Sequence, residues 1–167
     1  EHAAWQYPDS PFEELRGLIR IDWNAMDAWF EEDEEIFVHP RNPYTRVDIL
    51  PSSRPVEIAV DGVTVASSTH PTVLFETGLP PRYYVPKVDV RWDLLRESAS
   101  TSGCPYKGFA RYWSVDTGHG VATDVVWSYP TPLPESTKIA GLVCFYNEKV
   151  DLRVDGQLQE RPHTLFS

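Results

Sequence analysis

The sequence has few cysteines, few lysines and no long apolar run. Of 167 residues only two are cysteines, Cys104 and Cys144, and no CxxC pair occurs. This excludes a disulfide-dense scaffold and a closed cysteine zinc site. The two thiols could pair, but so few in a chain of this size point to a reducing compartment. His39, His70, His119 and His163 are scattered through loop-like stretches without ligand spacing, so no metal and no cofactor is expected. There is no Gly-x-Ser-x-Gly elbow and no His-Glu-x-x-His. No apolar stretch approaches the ~20 residues needed to span a bilayer. The opening "EHAAWQYPDS" has neither the basic end nor the apolar stretch of a signal peptide. The expectation is a soluble, cytoplasmic protein. Basic residues are outnumbered, with 15 Lys and Arg against 25 Asp and Glu, and the net charge is −10. No basic cluster offsets this, so neither nucleic acid nor an anionic membrane is an expected partner. A small-molecule ligand is.

Apolar residues make up 41%, enough for a core, and the length suits one domain plus an appendage. The two ends of the chain resemble each other. "AWQYP" (4–8) matches "VWSYP" (126–130), and "PFEELRGLIRIDW" (11–23) matches "PESTKIAGLVCFYN" (134–147). Aligning Gly17 with Gly141 also aligns Asp27 with Asp151. Three matches in one order read as a tandem repeat: residues 1–50 hold the tail of an upstream copy and a connector, and residues 51–167 a complete unit. The connector carries the acidic run Glu31–Glu35, read as a solvated face, and the proline-broken loop "HPRNPY". Trp5, Tyr7, Trp23 and Trp29 carry enough apolar surface to be expected out of water, packed on the main domain.

From residue 56 onward the pattern is β. "VEIAV" and "VTVAS" flank Asp61-Gly62, a two-residue hairpin signal. "TVLFE", "RYYVP", "GFARYWSV", "VATDVVW", "GLVCFYN" and "VDLRV" are further strands. "PESTKIAG" is read as a helix between Pro134 and Gly141, and "PKVDVRWDLL" as a second, short one. The fold class is mainly β.

"LFETGLPPRYYVP", "CPYKGFARYW", "WSYP" and "IAGLVCFYNEKVDLRVDG" together resemble the family called domain of unknown function 427, over residues 51–167 and again over the partial copy at 3–33. The resemblance implies a β-tent-like fold, in which two small antiparallel sheets lean together over a cleft. Other β-tent proteins bind zinc through paired CxxC knuckles, which this sequence lacks. The family has also been labelled nucleotidyltransferase-like, a chemistry that needs clustered acidic metal ligands and a phosphate-cradling glycine loop. Neither is found here.

The candidate site starts from "CPYKGFARYW", where Lys107, one of four lysines, stands among aromatics. A desolvated lysine there would serve as a base or Schiff-base former; alternatively it is a cation over ring faces, or a stem laid on an aromatic surface. Lys107 occupies the family motif's lysine position. Glu76 ends the apolar run "TVLF" and needs a partner, for which Lys107, Arg82 or a tyrosine hydroxyl is available. Tyr83 is taken as a proton donor, although Tyr83 and Tyr84 face opposite ways and sequence does not choose between them. Arg82, Tyr112, Trp113, Trp127 and Tyr129 complete the expected ligand-binding set. Cys104 is read as an inert thiol and Cys144 as core. Strand parity groups Lys107, Phe109, Arg111 and Trp113 on a cleft face, with Gly108, Ala110 and Tyr112 on a tight interior face. The expected function is a small-molecule enzyme using acid–base chemistry in an aromatic-lined cleft around Lys107 and Glu76. The alternatives are a non-catalytic binding module, or an interaction domain whose copies pack on each other or self-associate.

Overall fold

In the computed structural model, residues 3–167 are described, so the first two positions of the expected upstream copy lie outside the description. The chain divides into two compact units, one ending at Arg41 and one spanning Asn42–Ser167.

The first unit holds two antiparallel strand pairs. β1 (Ala4–Gln6) pairs with β2 (Ile19–Ile21), and β3 (Trp29–Glu31) pairs with β4 (Glu34–Ile36). Short 3₁₀ turns lie at Glu13–Leu15 and Trp23–Ala25. Trp23 and Trp29 stack at 4.7 Å, and Trp29 Nε1 donates to the Trp23 carbonyl. Trp5 and Tyr7, expected to be sheltered, are 39% and 44% exposed.

The second unit is built from eleven strands. They are β5 (Val47–Pro51), β6 (Val56–Val60), β7 (Val63–Ser68), β8 (Thr72–Glu76), β9 (Arg82–Val85), β10 (Leu95–Cys104), β11 (Gly108–Asp116), β12 (Val121–Ser128), β13 (Val143–Phe145), β14 (Asp151–Val154) and β15 (Gln157–Leu158). They form a seven-stranded sheet, β10-β11-β12-β13-β9-β8-β5, and a four-stranded sheet, β15-β14-β6-β7. All strand pairs are antiparallel. The β6–β7 hairpin turns at Asp61 (φ 49°) and Gly62 (φ 76°), the left-handed pair that a two-residue loop requires. The expected helix at 134–141 is instead a 3₁₀ stretch, Pro134–Ile139, ended where Ala140 turns extended (ψ 116°). The segment Lys87–Leu94 likewise holds only 3₁₀ turns, at Lys87–Asp89 and Trp92–Leu94. The domain is mainly β, as its residue pattern implies.

Strand alternation gives the seven-stranded sheet two different faces. Val73, Tyr83, Val85, Val126, Val143 and Phe145 point to the four-stranded sheet and share a core with its Val56, Ile58, Val65, Leu152 and Val154. Leu74, Tyr84, Ala110, Trp127, Tyr129 and Cys144 form a second cluster on the opposite face, joined by Ile139 of the 3₁₀ stretch. The first core is mostly aliphatic and holds the sheets together. The second is rich in aromatics and hydroxyls, and it carries the site.

Candidate functional site

Lys107 and Glu76 meet on the aromatic face. Lys107 Nζ lies 2.5 Å from Glu76 Oε2, and the two side chains are only 10% and 11% exposed. Glu76 ends β8 two residues after buried Leu74, so alternation puts its carboxylate on the same face. Lys107 arrives differently. It precedes β11 in a turn where its own N–H donates to the Cys104 carbonyl and its carbonyl accepts from Leu133 N–H. Gly108 then takes φ +91°.

That glycine corrects the expected parity. Phe109 and Arg111 are exposed, Trp113 packs against the inter-sheet core, and Lys107 does not join them. Lys107 sits instead with the small-residue face of Ala110 and Tyr112, because the left-handed residue at Gly108 breaks alternation between turn and strand. A Cβ at Gly108 would also stand 3.4 Å from the Thr131 carbonyl oxygen. Gly108→Ala should therefore cost roughly 1–2 kcal/mol from backbone conformation alone. Thermal melting of the variant checks this, and an unchanged midpoint would mean that the turn tolerates a side chain.

The face around the ion pair is lined with phenols. Tyr84 is fully buried, and its hydroxyl accepts a 3.1 Å hydrogen bond from Trp127 Nε1. Burial drives the pKa of Tyr84 well up, with Cys144 and Tyr129 adding to the effect. Burial likewise raises that of Tyr129, helped by the neighbouring Cys104, Tyr112 and Glu76. Both phenols stay protonated and act as neutral hydrogen-bonding groups. Cys144, fully buried, is pushed up to about 12, which makes it an inert core thiol. Both cysteines are free thiols.

Arg82 shares the aromatic face but is otherwise engaged. Its guanidinium forms a two-pronged pair with Glu148, at 2.6 and 2.8 Å, and both side chains are buried. Trp127, Tyr146 and Phe166 surround it, with ring centroids 5.6, 5.6 and 5.7 Å from Cζ. Thr164 Oγ1 donates to Glu148 Oε1 at 2.7 Å. Burial alone would raise the Glu148 pKa, but the hydrogen bonds from Arg82 and Thr164 outweigh it and hold the carboxyl at about 2.

The structure thus brings together Lys107, Glu76, Tyr129, Tyr112, Trp127 and, at the Glu148 end, Arg82. It does not bring Tyr83 or Trp113 there. Tyr83 faces the inter-sheet core, with its hydroxyl 3.5 Å from Arg54 Nη2, and Trp113 meets Trp92 edge to face at 5.6 Å on that same side. Sequence reasoning left Tyr83 and Tyr84 as alternatives and missed Tyr146 and Glu148. The alternation that removes Tyr83 selects Tyr84, but Glu148 lies 66 residues from Arg82 and carries no local signal.

Among the described residues no group of three or more His, Cys, Asp or Glu side chains is placed to hold a metal ion. Nor is any helix long and apolar enough to cross a membrane. No curated protein matches the chain significantly. A family model, described as Domain of unknown function (DUF427), matches residues 48–156, which take in both sheets except β15, the Lys107–Glu76 pair, the phenols around it and the Arg82–Glu148 pair. By that match over most of its length, the chain belongs to the DUF427 family.

Proposed function

We propose that the domain is a small-molecule enzyme in which Lys107 and Glu76 exchange a proton with a ligand held on the aromatic face. The observation that carries this reading is the contact itself: a lysine and a glutamate 2.5 Å apart, nine-tenths withdrawn from solvent. A buried, hydrogen-bonded lysine and glutamate place an acid and a base side by side, the arrangement general acid–base chemistry uses. Tyr129, kept neutral by burial, replaces Tyr83 on this face as a hydrogen-bond donor to the ligand. A second reading, a binding module without turnover, uses the same residues, with Lys107 as an electrostatic anchor. Lys107→Arg separates the two, because arginine keeps the charge but does not release a proton at neutral pH. The experiment incubates the protein with a small-molecule cell extract and follows depletion by mass spectrometry. Depletion by the wild type and not by Lys107→Arg supports acid–base catalysis. Equal depletion by both overturns a proton-carrying lysine, and saturable binding without depletion supports the module.

The N-terminal unit supports a tandem arrangement. In the alignment that the sequence suggests, Ala4, Trp5 and Gln6 correspond to Val126, Trp127 and Ser128, and Ile19, Arg20 and Ile21 to Val143, Cys144 and Phe145. The strand pairings correspond as well: Ala4 faces Ile21 as Val126 faces Phe145, and Gln6 faces Ile19 as Ser128 faces Val143. Likeness of sequence and of register together favour a half-copy of the domain over coincidence. Two unoxidised thiols fit a reducing, cytoplasmic location. A small molecule, with packing between copies or self-association, remains the partner this reading expects.

A further inference from the structure

We propose that a recess beside Tyr112, whose lining includes neither Lys107 nor Glu76, binds a neutral polyhydroxylated ring such as a monosaccharide. The recess is an open one of about 360 Å³ between β10–β12 and the C-terminal segment, within the range of small-molecule sites. Its polar wall is a chain of hydroxyls. Ser102 Oγ and Tyr112 OH are 2.7 Å apart, and Tyr112 OH lies 3.4 Å from Tyr146 OH. Each of these groups can donate or accept, which matches ligand hydroxyls that do both.

The charges at the recess are of opposite sign and give no net preference for an anion or a cation. Asp124, in a left-handed conformation (φ 52°) where the β11–β12 register shifts, has one carboxylate oxygen enclosed and the other accepting from Ser100 Oγ at 2.6 Å. Hydrogen bonds from Ser100 and Ser98 keep it ionised, so it repels an anion. Lys149 Nζ lies 5.4 Å from the centroid of the Tyr146 ring and repels a cation. Beside Thr101, Thr123, Leu165 and Ser167, the remaining wall includes the half-buried ring of Phe166, packed 5.6 Å from Tyr146. It offers a flat apolar platform for the C–H face of a sugar ring.

The test is a titration of the labelled full chain by amide NMR with glucose, galactose and myo-inositol, and separately with glutamate and inorganic phosphate. The proposal predicts saturable shifts at residues 100–102, 112, 123 and 146 with at least one of the three polyols, at dissociation constants on the order of millimolar. Phe166→Ala should weaken that binding roughly tenfold, and Tyr112→Phe should weaken it in a spectrum otherwise unchanged. Removing both charges of the Lys107–Glu76 pair should leave polyol binding intact, so failure here is distinct from failure of the catalytic reading. No saturable shift with any polyol up to roughly 100 mM would overturn the proposal. So would tighter binding of glutamate or phosphate, or indifference to Phe166→Ala.

Discussion

Glu148→Ala is expected to destabilise the domain by about 3–5 kcal/mol at neutral pH, the usual cost of stranding one member of a buried ion pair. Arg82 would keep its ring contacts with Trp127, Tyr146 and Phe166 but lose both charge-assisted hydrogen bonds in a site where its side chain is 6% exposed. A loss of that size is a large part of a typical folding free energy of about 5–15 kcal/mol. The pH dependence has a definite sign. The folded carboxyl sits at about 2, below its ordinary value. Its stabilisation is therefore complete above the ordinary carboxylate range and is lost as pH falls from there towards 2. Glu148→Gln should abolish that part of the acid dependence. Urea unfolding at pH 7 and at pH 3 measures both effects, and equal stability of wild type and Glu148→Ala would show that the pair is not formed.

The second large effect is non-additive. Lys107→Met leaves the Glu76 carboxylate without its partner in a site about one-tenth exposed, and Glu76→Gln does the same to the ammonium. Each single change should cost up to about 3–5 kcal/mol, whereas the double variant, with no charge to strand, should be close to wild type. A double-mutant cycle from chemical unfolding gives the coupling directly. Additive single changes would mean that the two groups do not depend on each other. The double variant also provides a folded protein that lacks the proposed chemistry.

Much of this architecture is legible in the residues. Asp61-Gly62 marks its hairpin, and the alternation in "TVLFE" and "RYYV" sorts Leu74, Glu76, Arg82 and Tyr84 onto one face once any one of them is placed. Other parts are not. β10 (Leu95–Cys104) escapes a periodicity reading because it is a polar, mostly exposed edge strand, "LRESASTSGC", interrupted by a register shift between Glu97 and Thr101. The 3₁₀ stretch Pro134–Ile139 has proline and glycine boundaries like those of an α-helix, but it is too short to propagate and is anchored through Ser136 Oγ on the Tyr106 carbonyl and Ile139 in the aromatic cluster. The face of Lys107 was misread because period-two reasoning stops at a left-handed residue, and Gly108 is one. The Lys107–Glu76 partnership was legible as chemistry, a buried carboxylate needing a cation, before its geometry was known.

The Lys107–Glu76 pair is proposed to handle a ligand rather than only to brace the sheet. Native mass spectrometry of the intact protein, purified in parallel as wild type and as the Lys107→Met/Glu76→Gln double variant, tests it most directly. The account predicts a noncovalent small molecule on the wild type that is absent from the folded double variant. The same occupancy on both proteins, or none on either after exposure to a cell extract, would contradict it.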